Sequence, residues 1–349
     1  MSESDPAPAR RDDAVDDPIA YFLRDLEYHG KSERTRRAYG RVLRTFRTFL
    51  RERGGTLAAA DRRDCMAYVH GLREEHAPST VATYASYLNR FYAYMTQVGA
   101  FDANPMALVI EEMDESVDAD PTRRELSIPQ MRAFVGRLGH PLDRALVVTL
   151  LKTGMRVGEL CNLDLRDVSL DDEEVRAAYP VTPRGALDGR PDSIFVASEV
   201  ARGRAVNGEE RSASNKRKRS TVIPIDRELK RVLKVWLAIR PEAVSPAEPL
   251  FVSTSDAWGE RVTTGLVRQR VVRQAERNGW YRPGGGAEEN VTPHYFRHFF
   301  TTHLRDRTGD RGIVKYLRGD VAADVIDTYT HNWGDRVREV YEANVYSVV

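Results

Sequence analysis

Residues 17–98 carry large apolar side chains that recur every three or four positions, with short polar or glycine-containing breaks between them. This period predicts four helices, over residues 17–28, 32–53, about 60–76 and 79–98, with Ser32 and Ser79 as N-caps of the second and fourth. The apolar stripes are Tyr39, Val42, Leu43, Phe46 and Leu50 in the second helix, and Val81, Tyr84, Leu88, Phe91, Tyr92 and Met95 in the fourth. The pattern therefore predicts a four-helix domain over residues 17–110.

Two segments lack this pattern. Residues 1–16 are rich in Asp, Pro, Ala and Arg, which predicts a disordered leader. Residues 111–125 are acidic, contain proline and have few large apolar side chains, which predicts a linker. A second domain is then expected over residues 126–349. Its tail repeats apolar residues from Val337 to Tyr346 at partly helical spacing, and it could pack on its own domain or on a neighbouring protomer.

The second domain combines helical and β-type patterns. Helical periods cover residues 127–138, where Ser127 is the expected N-cap, and residues 143–153, 226–239, 264–278, 292–307 and 310–317. Residues 193–197 and 221–225 are short β-type runs, separated by a polar insert at 202–214. The expected fold class is mainly α with a small antiparallel β-sheet.

Composition narrows the class of partner only slightly. The 53 basic and 52 acidic residues leave a net charge of +1, so a nucleic acid would have to be bound by local patches. Candidates for contact with a DNA backbone are Arg34, Arg37, Arg41, Arg44, Thr80 and Thr83. The alternative for these residues is a solvated basic surface.

Cysteine content and hydropathy indicate the compartment. Cys65 and Cys161 are far apart and lack metal-ligand spacing, so neither a disulfide framework nor a zinc site is expected. No segment approaches the ~18 apolar residues of a membrane span, and the N-terminus does not resemble a signal peptide. A cytoplasmic location without membrane contact is therefore expected.

Three motifs supply groups suited to phosphodiester chemistry. They are Thr153-Gly-Met-Arg-Val-Gly-Glu-Leu160, Thr292-Pro-His-Tyr-Phe-Arg-His298 and Asp327-Thr-Tyr-Thr-His331. Two guanidiniums can bind the non-bridging oxygens of one phosphate, an imidazole can transfer a proton near neutral pH, and a phenol can become phosphorylated. The sequence has neither a carboxylate cluster with two-metal spacing nor a Gly-x-x-x-x-Gly-Lys phosphate loop, so no metal or other cofactor is expected.

The order Arg156, His294-x-x-Arg297 and Tyr329 resembles the tyrosine recombinases, the phage-integrase and Xer-like family. The resemblance implies that the two arginines bind the scissile phosphate, that His294 transfers a proton, and that Tyr329 forms a covalent 3′-phosphotyrosine link. It also implies a SAM-like core-binding domain ahead of the catalytic domain. Double-stranded DNA is the implied partner, with a dimer on one site, a tetramer in the synapse, a candidate accessory directionality factor and a nucleoid-associated location.

The resemblance also assigns supporting residues. Glu159 would hold the Arg156 guanidinium. Lys216, ahead of residues 221–225 on a β-hairpin, would donate a proton to the departing 5′ oxygen, with Lys218 as a close alternative. Tyr329 is favoured as the nucleophile over the other nearby tyrosines because it lies about thirty residues past the His-x-x-Arg motif, where the family places it. The competing tyrosines are Tyr316, Tyr341 and Tyr346.

One position departs from the family pattern. A Leu-Gly-His stretch, sometimes ending in Trp, normally precedes the tyrosine, whereas this chain has Arg318-Gly319-Asp320. A carboxylate beside a phosphate is repulsive, so Asp320 is expected to turn away, to accept a bond from an arginine such as Arg318, or to be protonated. Two other functions stay open: a type IB topoisomerase, and a DNA-binding protein of the same family whose catalysis has decayed.

Overall fold

A computed structural model describes residues 17–116, 122–320 and 333–349. The chain divides into a first unit, Met1–Pro121, and a second unit, Thr122–Val349. The predicted leader, part of the predicted linker and the Tyr329 motif lie outside the described residues. Within the described ranges, no helix combines the length and the apolar character needed to cross a membrane, and no three His, Cys, Asp or Glu side chains converge as metal ligands would.

The first unit is helical throughout its regular structure. Its helices are α1 (Pro18–Tyr28), α2 (Glu33–Glu52), α3 (Arg62–Glu75), α4 (Pro78–Gln97) and the short α5 (Ala107–Glu112). Ser32 caps α2 as predicted, by accepting a hydrogen bond from the amide of Thr35 at 3.2 Å. The prediction of Ser79 as the N-cap of α4 is wrong. That helix begins at Pro78 with Ala77 as its N-cap, because a proline in the first turn has no intrahelical hydrogen bond to lose.

Aromatic side chains form much of the core of the first unit. Phe22, Phe46 and Phe91 are almost completely buried, and burial of one such side chain contributes about 1.5–3 kcal/mol. The hydroxyl of buried Tyr92 donates to the main-chain oxygen of Leu57 at 2.9 Å, so its polar atom is also satisfied. The predicted apolar stripes therefore do face this core. Of their three tyrosines, Tyr92 is buried, whereas Tyr39 and Tyr84 lie at the edge of the core and are only partly buried.

The acidic segment after α4 interacts with its own unit. Helix α5 extends to Glu112, inside the predicted linker, and the carboxylates of Glu112 and Glu115 pair with Arg62 and Arg73 of α3. These ion pairs are solvent-exposed, so each contributes at most about 1 kcal/mol. The acidic charge of this segment is thus partly neutralised by arginines of the first unit.

The second unit contains most of the helices and both small sheets. Its helices are α6 (Ile128–Gly136), α7 (Pro141–Thr153), α8 (Val157–Cys161), α9 (Glu173–Ala178), α10 (Arg227–Ile239), α11 (Thr264–Arg277), α12 (Pro293–Thr308), α13 (Arg311–Arg318) and α14 (Trp333–Asn344). Ser127 is the N-cap of α6, as predicted, and the structure adds a capping box with Gln130. Helix α7 is buried on all sides and packs against α10 and α12.

The main sheet is antiparallel, with strand order β1 (Val168–Ser169), β2 (Ser193–Val196) and β5 (Thr221–Pro224). In its register Ile194 pairs with Ile223, and both side chains are buried. The predicted fold class, mainly α with a small antiparallel sheet, is confirmed. The polar insert, however, contains an unpredicted hairpin of β3 (Ala205–Val206) and β4 (Glu209–Glu210). Its turn is Asn207-Gly208, and both residues have positive φ angles, of 53° and 80°.

A buried carboxylate anchors this hairpin to the end of α8. Asp164 accepts hydrogen bonds from Arg211, which follows β4, at 3.0 and 2.7 Å, and from Arg261 at 2.6 Å. All three side chains are nearly inaccessible to solvent. Buried charges are tolerated only when paired and hydrogen-bonded, and this cluster satisfies both conditions. It fixes the segment that leads from β4 towards the predicted lysines.

The C-terminal tail packs on its own unit, the first of the two arrangements considered above. Tyr341 and Tyr346 are buried and donate hydrogen bonds to the main-chain oxygens of Lys152 and Leu151, at 2.8 and 2.5 Å. Lys152, itself buried in α7, donates to Asp226 and to the main-chain oxygen of Tyr346. The tail therefore covers one end of α7.

Candidate active site

The turn between α7 and α8 brings the first arginine motif to α12. Gly154 ends α7 with a φ of 61°, a left-handed conformation that favours glycine. A Cβ atom at this position would collide with the ring of Phe300 on α12. The close approach of the two elements therefore depends on a glycine, and it places Arg156, two residues later, beside α12.

Glu159 holds Arg156 as predicted. The Glu159 carboxylate accepts from the Arg156 amide at 2.9 Å and from its guanidinium Nη1 at 3.1 Å. On its other side the same carboxylate accepts from Nη2 of Arg217 at 3.1 Å. The side chains of Glu159 and Arg217 are both 0% exposed, whereas Arg156 is 28% exposed. A buried carboxylate thus orients one arginine that faces solvent and one that does not.

Arg217, one of four consecutive basic residues at 216–219, was not among the site residues predicted from the sequence. It also donates to the main-chain oxygen of Leu317 at 3.0 Å and to the hydroxyl of Thr221. Its neighbours Lys216 and Lys218 are exposed, so the side chains alternate between inward and outward orientations. Residues 216–219 are all basic, so no signal in the sequence distinguishes position 217 from its neighbours. Both predicted lysines are exposed on this loop, and both stay candidates for the proton donor.

Arg297, on α12, lies buried at the bottom of the site. Its Nη1 donates to the main-chain oxygens of Gly154 at 2.7 Å and Arg318 at 3.1 Å. Burial, followed by the charges of Arg318 and Arg156, lowers the pKa of Arg297 to about 10, so the guanidinium stays charged at neutral pH. Arg297 therefore ties together the α7–α8 turn and the C-terminal end of α13.

His294 lies three residues before Arg297 on α12 and keeps solvent-accessible surface. Its pKa is lowered from the usual value, first because the surrounding protein removes water from the ring, and then because four arginines surround it. These arginines are Arg123, Arg297, Arg156 and Arg318. Both effects favour the neutral imidazole, which is the form that can accept a proton. Thr292 is the N-cap residue of α12, but its side chain makes no capping hydrogen bond.

The Asp320 carboxylate contacts three arginines of the site. Its Oδ1 accepts from Arg156 Nη2 at 3.1 Å and from Arg297 Nη2 at 2.9 Å, and its Oδ2 lies 3.1 Å from Arg318 Nε. The alternative that Asp320 turns away from the site is wrong. The alternative that it accepts from an arginine is confirmed, and it contacts three of them. The carboxylate thus marks one position at which an anion is bound by Arg156 and Arg297 together.

The position of Asp320 follows from the end of α13. Gly319 is left-handed, with a φ of 68°, and the amides of Gly319 and Asp320 donate to Tyr316 and Lys315 at 2.8 and 3.0 Å. These two bonds form a Schellman motif. The lysine-bearing loop packs against the same turn, since the Lys218 amide donates to the Gly319 oxygen at 3.2 Å.

The predicted nucleophile, Tyr329, and the neighbouring His331 lie outside the described residues. Two competing tyrosines can nevertheless be excluded. Tyr341 and Tyr346 are completely buried, and burial raises the pKa of each phenol well above its usual value. Tyr316 is only partly buried, with the Arg219 guanidinium 4.9 Å from the centre of its ring.

Comparison with known proteins decides the family. The model described as the phage integrase family matches residues 138–334, more than half of the chain. The phage integrase N-terminal SAM-like domain matches residues 19–99. The chain belongs to the phage integrase family. It is an enzyme of the tyrosine recombinase class.

Curated relatives of this recombinase extend over nearly its whole length. A protein named tyrosine recombinase XerC from Pelobacter propionicus is 24% identical over 339 residues, covering 93% of this chain and 95% of the relative. Tyrosine recombinase XerD from Shewanella oneidensis is 24% identical over 332 residues, with the same coverage of both chains.

Solved integrase structures share the fold of this recombinase. The Tn1549 transposon integrase in complex with transposon right end DNA has a TM-score of 0.64 and 18% identity, covering 93% of this chain and 98% of that one. A lambda integrase tetramer bound to a Holliday junction has a TM-score of 0.61 and 16% identity, covering 88% of this chain and 77% of that one.

The first unit of the recombinase presents its predicted DNA-binding residues on the surface. Arg34, Arg37, Arg41 and Arg44 are exposed, while Thr80 and Thr83 are half-buried. Arg41 of α2 donates to the hydroxyl of Tyr84 on α4 at 3.4 Å, so basic groups of α2 reach the helix that carries the threonines. Arg37 pairs with Glu33 within α2. Their contact with DNA stays a prediction.

Proposed function

We propose that this chain is a site-specific DNA recombinase that cuts and rejoins DNA strands through a covalent 3′-phosphotyrosine at Tyr329. The observation that carries the proposal is the convergence of Arg156 and Arg297 on one carboxylate oxygen, at 3.1 and 2.9 Å. Two guanidiniums that share one anion position can bind a non-bridging oxygen of a phosphodiester and stabilise the charge that develops there during the reaction.

In the proposed reaction the Tyr329 oxygen attacks phosphorus while the bond from phosphorus to the 5′ oxygen breaks. The phenol proton passes to a base, for which the neutral His294 is the candidate. The departing 5′ oxygen takes a proton from Lys216 or Lys218, and both lysines are exposed on the loop that packs against the Gly319 turn. Rejoining is the reverse reaction with a new 5′ hydroxyl. The phosphotyrosine retains the bond energy, so neither ATP nor a metal is required.

Double-stranded DNA is the proposed partner. Exposed Arg34 and Arg44 on α2 suit contacts with the phosphate backbone of DNA, which position a protein without reading sequence. A dimer on one site, a tetramer in the synapse, an accessory directionality factor and a location in the cytoplasm at the nucleoid are proposed on the family resemblance alone. The XerC and XerD relatives favour a recombinase over a type IB topoisomerase.

A second candidate function rests on Asp320. A carboxylate that occupies the arginine cluster would suit a DNA-binding protein whose catalysis has decayed. The two functions differ in one observable, the covalent adduct, because DNA binding is expected in both.

The test is to incubate the protein with genomic DNA that flanks its own gene, quench with SDS, and sequence the tryptic phosphopeptide of any adduct. The expected result is an adduct at Tyr329 that is absent from Tyr329→Phe and present in the matched control Tyr316→Phe. Binding without an adduct in the wild type would favour the decayed protein. An adduct at another tyrosine would overturn the assignment of the nucleophile.

A further inference from the structure

Three guanidiniums, from three different elements, surround the Asp320 carboxylate. Arg156 at the start of α8 and Arg297 of α12 contact Oδ1, and Arg318 at the end of α13 lies 3.1 Å from Oδ2. The side chain of Arg297, at the bottom of the site, is only 3% exposed to solvent. The exposed fractions of the other three side chains are 28% for Arg156, 30% for Arg318 and 28% for Asp320. The carboxylate therefore sits at a rim that an external anion can reach.

We propose that Arg318 is a third phosphate-binding arginine of this enzyme, and that Asp320 occupies the phosphate position until DNA displaces it. The inference rests on the proposed function, which supplies the scissile phosphate. A carboxylate presents two oxygens, as a phosphodiester does with its two non-bridging oxygens. Arg156 and Arg297 would bind one phosphate oxygen and Arg318 the other.

Charge favours this exchange. Arg156, Arg297, Arg318 and the buried Arg217 carry four positive charges against the two carboxylates of Asp320 and Glu159, so the cluster keeps an excess of positive charge. The charges of Arg156, Arg297 and Arg318 also act on His294. In the pentavalent transition state the non-bridging oxygens carry more negative charge than in the bound substrate. A third guanidinium therefore stabilises the transition state more than the ground state, which is the condition for an effect on rate.

The exchange requires only a side-chain rotation of Asp320. The backbone that leads to this side chain is held by the amides of Gly319 and Asp320, which donate to the main-chain oxygens of Tyr316 and Lys315. The main-chain oxygen of Arg318 accepts from Arg297 at 3.1 Å, which keeps the end of α13 beside the phosphate position. If the carboxylate stayed in place, it would repel the phosphate.

The experiment compares two DNA substrates in single-turnover cleavage. One carries an ordinary scissile phosphate and the other a methylphosphonate, in which a methyl group replaces one charged oxygen. Arg318→Gln is expected to slow adduct formation on the phosphate by roughly 10²-fold, the effect of losing one transition-state donor, and to have a much smaller effect on the uncharged substrate. Arg318→Lys should recover part of the rate on the phosphate, because it restores the charge. Asp320→Asn should accelerate cleavage of the phosphate.

The matched control is Arg311→Gln, at the exposed first position of the same helix, which should leave both rates unchanged. An equal loss on both substrates in Arg318→Gln, with no recovery in Arg318→Lys, would mean that Arg318 is only structural and would overturn the inference. A slower Asp320→Asn variant would overturn the proposed displacement. Wild-type protein that forms no adduct on the phosphate substrate would instead contradict the proposed function itself.

Discussion

Replacing Arg217 with methionine is expected to lower the free energy of unfolding of the second unit by about 3–5 kcal/mol, the usual cost of removing one partner of a buried ion pair. Arg217 and Glu159 are both 0% exposed and lie 3.1 Å apart. Methionine fills a similar volume but leaves the Glu159 carboxylate with Arg156 as its remaining cationic partner. The change also removes the donor to the Leu317 oxygen, an acceptor that is costly to leave unpaired.

Tryptophan fluorescence during urea unfolding is the assay. All four tryptophans of the chain, Trp236, Trp258, Trp280 and Trp333, belong to the second unit, so the signal reports that unit alone. Lys216→Met is the matched control, because it makes the same type of change one residue earlier at an exposed position. Its effect should stay within about 0.5 kcal/mol.

A double variant tests whether the loss comes from the unpaired charge. Removing both members of a buried pair is often close to neutral, so Glu159→Met combined with Arg217→Met should be less destabilised than the sum of the two single variants. An Arg217→Met effect as small as that of Lys216→Met would refute the reasoning. Additivity in the double variant would show that the two charges do not interact.

Three further predictions concern the pKa of His294, the glycine at position 154 and the salt dependence of DNA binding. The pKa of His294 in the DNA-free protein should lie below about 6.5 when it is followed by NMR, and a midpoint at or above that value would contradict the arginine cluster. Folding lowers this pKa, so the contribution of His294 to stability is fully present at pH values above the pKa of an ordinary histidine. The contribution is lost as the pH falls towards the pKa of His294 in the folded protein. This loss should be absent from His294→Gln. Gly154→Ala should destabilise the second unit by about 1–3 kcal/mol in the urea assay, because alanine is strained at positive φ and its Cβ would collide with Phe300. An unchanged unfolding midpoint would contradict that contact. DNA affinity should fall on the order of 10³- to 10⁵-fold between roughly 50 and 200 mM salt if ~6–10 phosphates are neutralised, and a flat response would exclude a phosphate-binding surface.

Local structure was largely readable from the residue pattern. Helix α10 begins and ends within a residue of its predicted bounds, because an N-cap and a sustained period of 3.6 residues are local properties. The errors are local too. Ser79 was chosen as an N-cap although the preceding proline already suits the first turn, and the Asn207-Gly208 turn was overlooked inside a polar segment.

The sequence by itself determined the family, the fold class and the types of group available for phosphate chemistry, because motif spacing and residue chemistry are properties of the linear chain. Only the tertiary structure decided that Arg156 and Asp320, 164 residues apart, share a hydrogen bond, and that Arg217 rather than a neighbouring lysine is buried. Such contacts depend on how α8, α12 and α13 pack, and on a turn at Gly154 that lets α12 approach. The periodicity of a helix specifies which face is apolar, but it does not specify which distant element covers that face.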